Sequence, residues 1–239
     1  MLTEKLIPNI DRRMSTWITI QGQLKKKSIL EQRPTITISR QFGAEAYPLA
    51  EILQDLLQKK TGDSWMIFDK ALIEKVSRET ALSKHFLTNL GDASKAFDAL
   101  PTILPGMRTH RDAYQILAHY IIRIALDGNA IIIGRGGALL TQHLSHCFHF
   151  RLEAPLEYRI RSIQERLGIS YNEAKSLVID NQKMRDRFIE NLLNSSIADT
   201  RFYHAVFNSS KSNSLGIARG IMGLVFENGR VVRIKVKKQ

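Results

Sequence analysis

A single cysteine, Cys147, stands among 239 residues, so no internal disulfide can form and a cysteine-built zinc site is excluded. No run of about eighteen apolar residues occurs, and the first residues carry no apolar leader core. The chain is therefore expected to keep out of membranes and to reside in the cytoplasm. Acidic side chains are in deficit, with 23 Asp and Glu against 35 Lys and Arg, a net charge of +12. The surplus sits largely at the ends. Residues 1–33 carry a net +4, including Arg12, Arg13 and Lys25 to Lys27, and residues 224–239 carry another +4 through Arg230, Arg233, Lys235, Lys237 and Lys238 against Glu227. Such ends read either as solvated tails or as a surface for nucleic acid or an acidic partner. None of the seven histidines falls into HExxH or comparable ligand spacing, and no metal site is expected from protein side chains alone.

The body alternates strand and helix patterns. TITIS, from Thr35, is β-branched and alternating, and Leu49, Ile52, Leu53, Leu56 and Leu57 follow at helical spacing. Further strands are expected at Trp65 to Asp69, Ala130 to Gly134, Cys147 to Leu152 and Tyr203 to Phe207. Helices are expected from Lys70 to Glu79, Arg111 to Leu126, Leu156 to Leu167, Tyr171 to Leu193 and Leu215 to Phe226. AIIIG is apolar throughout, as a parallel strand buried on both faces would be. Gly91, Pro101, Pro105 and Gly106 break the pattern and mark an inserted or mobile segment. Five strands with intervening helices predict an α/β domain, a doubly wound five-stranded parallel sheet with helices on both faces. It would span residues 34–226, between a basic extension (1–33) and a basic tail (227–239).

Ligands of such sheets bind beyond the carboxyl ends of the strands. That rule selects Ser39 and Arg40, Asp69, Gly134 to Gly137 with Arg135, Arg151, and Asn208. Asp69 suits a helix cap and a ligand contact equally. Arg135, between glycines that let backbone approach a ligand, suits a bidentate phosphate clamp. Asn208 to Ser210 reads as a turn, and His149 inside a strand reads as structural. Lys183, Arg185 and Arg187 could fold over an anion, since phosphoryl chemistry rests on positioning and cationic charge. The loop after TITIS has the outline of the phosphate cradle GxxxxGK(S/T), yet Gln41, Ala46, Tyr47 and Pro48 occupy its four defining positions.

ITISRQFG, IFDKALIEKVS, AIIIGRGGALL, the stretch from FRLEAPLEYRIRSIQERLGIS to KMRDRFI, and YHAVFN occur in this order. Together they resemble the cytidylate kinase-like family, relatives of the P-loop nucleoside monophosphate kinases, over Thr35 to Phe226. The resemblance implies a P-loop-kinase-like fold with a helical lid at about 170–193, and ATP with magnesium as cofactors. It makes Ser39 to Ala46 the phosphate loop, with Ser39, Arg40, Gly43, Ala44, Lys183 and Arg187 on the cofactor. Asp69, Arg135 and Gly136 would hold the acceptor, and Arg40, Arg135 and Arg185 would act in catalysis. Several residues depart from the family pattern. Ala44, Glu45, Ala46 and Tyr47 replace a glycine-rich run, Glu45 sets a negative charge where phosphate should dock, and Gln182 stands three residues before Arg185 where an acid is usual. Three functions follow: an active kinase with Arg40 replacing the loop Lys, a catalytically impaired binder of nucleotide or another anionic metabolite, or a nucleic-acid or acidic-partner binder acting through its basic ends.

Overall fold

The computed structural model describes residues 13–14, 16, 33–81 and 110–227. The segment marked by Gly91, Pro101, Pro105 and Gly106, most of the basic extension and nearly all of the tail lie outside the described residues. The elements run β1 (Thr35–Arg40), α1 (Ala46–Thr61), β2 (Met66–Phe68), α2 (Lys70–Ala81), α3 (His110–Asp127), β3 (Ala130–Ile133), α4 (Gly137–Leu140), β4 (Cys147–Glu153), α5 (Leu156–Leu167), α6 (Tyr171–Leu193), β5 (Ala205–Asn208) and α7 (Ser214–Phe226). A short 3-10 turn at Thr200–Phe202 precedes β5.

All five strands are parallel, in the order β2-β3-β1-β4-β5. The chain passes from β1 out to β2, returns through β3 to β1's side, and then crosses to β4. β1 is thus the switch point, where a crevice opens beyond the strand ends. Ile36 pairs with Ile131 and Ile38 with Ile133, so β1 and β3 are neighbours in the sheet.

The period-2 alternation of β1 sorts its side chains between two layers. Ile36 and Ile38 join Leu49, Leu53 and Leu57 of α1 and Ile217, Ile221 and Val225 of α7 in one core. Each fully buried leucine there contributes about 2 kcal/mol of transfer free energy. Phe68, Leu72, Ile73, Ile121, Ile124 and Ile132 form the core of the opposite face, under α2 and α3. The Thr35 hydroxyl donates to the Ala125 carbonyl (3.0 Å), and Thr37 shares a 2.9 Å hydrogen bond with His149 Nδ1, so the buried polar groups of β1 are satisfied.

The last strand begins two residues later than the pattern predicts. Tyr203 closes the 3-10 turn, its N–H donating to the Thr200 carbonyl (3.1 Å) and its hydroxyl to the Ile197 carbonyl (2.7 Å), so it is committed before the ladder starts. Helix α6 starts where its sequence says it should, on a capping box between Ser170 and Glu173.

Candidate functional site

Three arginines meet beyond β1 and β3. Arg40 is the last residue of β1, Arg135 follows β3, and Arg185 descends from α6. The Gly134 N–H donates to the Ile38 carbonyl (3.0 Å), drawing the turn after β3 against the end of β1. Gly134, Arg135 and Gly136 have φ of +77°, +53° and +72°. A non-glycine residue in the left-handed region is uncommon and marks a turn held by its surroundings. The hydroxyl of Tyr114 supplies one restraint, donating to the Arg135 carbonyl (3.1 Å). Glycine at 134 is also a matter of space, since a Cβ there would lie 2.0 Å from Arg40 Nη1.

Burial lowers the pKa of all three arginines, and repulsion from neighbouring arginines adds to it for Arg40 and Arg185. Arg40 is pushed down to about 10 by burial, then by Arg135, with Asp69 opposing. Arg185 is lowered by burial, then by Arg40 and Arg135, with Asp186 opposing. Arg135 is lowered by burial, against the pull of Glu74, to which its Nη2 donates. All three remain charged at neutral pH, so the crevice concentrates positive charge that an anion would relieve. Arg135 Nε is buried without a hydrogen-bond partner. The guanidinium groups are also stacked in place, Arg135 over Phe188 (4.7 Å to the ring centroid) and Arg185 over Phe42 (4.8 Å).

The loop between β1 and α1 is held differently from a phosphate cradle. The Phe42 N–H donates to Gln182 Oε1 (2.8 Å), the Ala44 N–H to the Gln41 carbonyl (3.2 Å), and the Ala46 N–H to the Ala44 carbonyl (2.9 Å). These three donors are thus satisfied within the protein. Gln182 in turn donates to Asp186 (2.9 Å). Glu45 is turned aside, accepting from the Ser162 hydroxyl (2.9 Å) on α5. Gly43, at φ +89°, is required by packing, because a Cβ there would come 2.7 Å from both Cβ and the carbonyl oxygen of Arg159. Tyr47 and Pro48 open α1 and offer neither an ammonium nor a hydroxyl for metal. These residues do not fit a magnesium–triphosphate gripped in the usual way.

Asp69 serves as the cap that its position predicts, with its Oδ1 accepting from the Leu72 N–H (2.9 Å). It also receives Arg13, which donates through Nη2 to Oδ1 (2.9 Å) and through Nη1 to Oδ2 (3.1 Å). Arg13 Nη2 reaches the Ile67 carbonyl as well (3.2 Å), and the guanidinium lies over the Tyr47 ring, 5.3 Å from its centroid. Nothing in the sequence links Arg13 to a residue 56 positions away.

The crevice therefore gathers Arg40, Asp69, Arg135 and Arg185. Gly136 borders it, packed so closely that a Cβ would lie 2.6 Å from the Tyr114 hydroxyl. Ser39 and Ala44 are buried, and Gly43 is committed to α5. Lys183 and Arg187 are exposed on α6. Two residues along a helix turn the side chain by about 200°, so the alternating series puts Arg185 inward and its two neighbours outward. Arg151, on β4, is buried, donates to Glu153 (2.7 Å) and lines a cavity with Gln41, Gln182 and Asp186.

Residues 35–211 match the cytidylate kinase-like family. A search of curated protein sequences finds no match. Among solved structures, an uncharacterized protein from Eubacterium ventriosum shares 16% identity at a TM-score of 0.62, with 82% of this chain and 99% of that chain covered. A shikimate kinase from Acinetobacter baumannii in complex with shikimate gives 15% identity and a TM-score of 0.45, over 87% and 98%.

Proposed function

Because the chain belongs to the cytidylate kinase-like family, with the family match covering residues 35–211, we propose that it binds a nucleotide or another small phosphate-bearing ligand in the arginine crevice, and that its transfer of phosphate from a triphosphate is impaired. The observation that carries this reading is the convergence of Arg40, Arg135 and Arg185 beside a loop in which the Phe42, Ala44 and Ala46 N–H groups are already taken. The arginines supply charge and bidentate donors for a phosphate. The loop lacks the lysine, and three of its backbone donors are engaged elsewhere, which weakens the positioning of a γ-phosphate. In this reading Gly136 borders the ligand, Asp69 acts on it through Arg40, and α6 forms the lid. The work is done in the cytoplasm by a domain spanning residues 34–226.

A thermal-shift panel tests it. Nucleoside mono-, di- and triphosphates, inorganic phosphate and pyrophosphate are each offered with and without magnesium, since a ligand that binds the folded state raises its melting temperature. At least one phosphate-bearing compound is expected to stabilise the protein without magnesium, and magnesium–ATP is expected to bind weakly. A buried arginine–phosphate fork is worth about 1.5 to 3 kcal/mol, so Arg135→Ala or Arg185→Ala should each weaken that ligand by roughly tenfold or more. Tight magnesium-dependent ATP binding, or turnover with CMP as acceptor, would overturn the impaired reading. Variants that bind like the wild type would overturn the site.

A further inference from the structure

Asp69 presents a difficulty for any anion site in this crevice. Its carboxylate is nearly fully buried and lies close enough to Arg40 to act on that guanidinium electrostatically. Left to itself, an aspartate in this position would attract Arg40 and repel a phosphate. The structure answers with a cation from outside the sheet, because both carboxylate oxygens of Asp69 receive Arg13 in a fork whose partners are 11% and 4% exposed.

We propose that Arg13 is a positioning residue of the ligand site. It neutralises Asp69, leaving the charge of Arg40 directed at the bound anion, so Arg13 is a working part of the crevice.

Four contacts hold Arg13 in this role. Two are the charge-assisted bonds to Asp69, a geometry that only a guanidinium provides. The third is the bond to the Ile67 carbonyl, which fixes the group at the end of β2. The fourth is the Tyr47 ring beneath it, where an ordinary phosphate loop would place its lysine. A cation is thus restored next to that position, but it arrives from residue 13 and is spent on Asp69. The neighbouring charges agree with this division of labour. Glu74 is engaged by Arg135, while Glu45 and Asp186 accept hydrogen bonds from the neutral Ser162 and Gln182 and keep their charge, Asp186 acting on Arg185; with Arg13 counted, four guanidinium groups face Asp69, Glu74 and Asp186, and the crevice stays net positive.

The proposal rests on the anion reading of the crevice, and the experiment separates the two. Affinity for inorganic pyrophosphate is measured by calorimetry on the full chain for wild type, Arg13→Ala, Asp69→Asn and the double variant. Asparagine preserves the cap on α2 while removing the charge. Arg13→Ala should weaken pyrophosphate about tenfold, because Asp69 is then uncompensated. Adding Asp69→Asn should return the affinity to within about threefold of wild type, the outcome that a purely structural role for Arg13 would not produce. Asp69→Asn alone should bind at least as tightly as wild type. If Arg13→Ala binds as well as wild type, or the double variant stays weak, the inference fails while the crevice stands. Tighter binding by Arg13→Ala would make Arg13 an obstruction and overturn it equally. If no anion on the panel binds the wild type, the crevice reading itself falls, and this one with it.

Discussion

His149 sits on β4 facing Thr37, beside His204 and Thr141, and only 4% of it is exposed. Burial pushes its pKa down from 6.5 to about 4, the positive field of His204 adds to the shift, and a hydrogen bond involving Thr141 opposes it. The folded protein therefore binds this proton less readily than the unfolded chain. The associated stability is fully present above pH 6.5 and is lost as pH falls from there toward 4. A shift of this size corresponds to about 3 kcal/mol. Urea unfolding at pH 7.5 and pH 4.5 should show that loss in wild type and a visibly smaller one in His149→Asn. Equal pH dependence in the two proteins would mean that His149 is not the group that titrates. At the same scale, Gly43 shows how one residue can keep its identity under a different constraint, since the glycine suited to a phosphate loop is here held by contact with Arg159.

Among the elements, α6 decides how the crevice is closed. Gln182 accepts the Phe42 N–H, Arg185 covers the Phe42 ring, and Phe188 meets both Arg135 and the edge of Tyr114 (5.2 Å between centroids). Gln182→Ala would leave a part-buried N–H without its acceptor, a cost of about 1 to 3 kcal/mol. Amide exchange at Phe42, followed by NMR, should accelerate about tenfold or more, with a smaller effect at the buried amides of β1. Unchanged exchange would show that the loop is closed by other contacts. The strands and helices were largely legible beforehand, because AIIIG, TITIS and the leucine stripe of α1 are periodic over their whole length. Arg40 and Arg135 were legible through the rule that ligands gather beyond strand ends, and Arg185 only through the cationic series on the long helix. The closure was not. Gln182 is separated from Phe42 by 140 residues, and Arg13 from Asp69 by 56, and such pairings leave no local pattern. Lys183 and Arg187, which the family resemblance puts on the cofactor, are exposed on α6, whereas Arg185 between them turns to the crevice.

For the molecule as a whole, the net charge of +12 separates into basic ends and a body carrying only +4. No helix among the described residues is long and apolar enough to cross a membrane. If the crevice binds the ligand, removal of residues 229–239 should leave pyrophosphate affinity within about twofold of wild type. Any oligonucleotide binding lost on that removal should fall steeply with salt, as counterion release requires, and should be indifferent to Arg135→Ala. Loss of pyrophosphate binding with the tail would move the anion site out of the crevice. Helix α6 has a last consequence at this scale. Its 23 residues form a rod about 34 Å long that approaches the β1 loop at its middle and the Gly136 turn at Leu193. A rod so braced resists bending at one point, so moving it away from the β1 loop would also pull on its contacts at the Gly136 turn, and Arg185 cannot leave the crevice without disturbing the turn that carries Arg135.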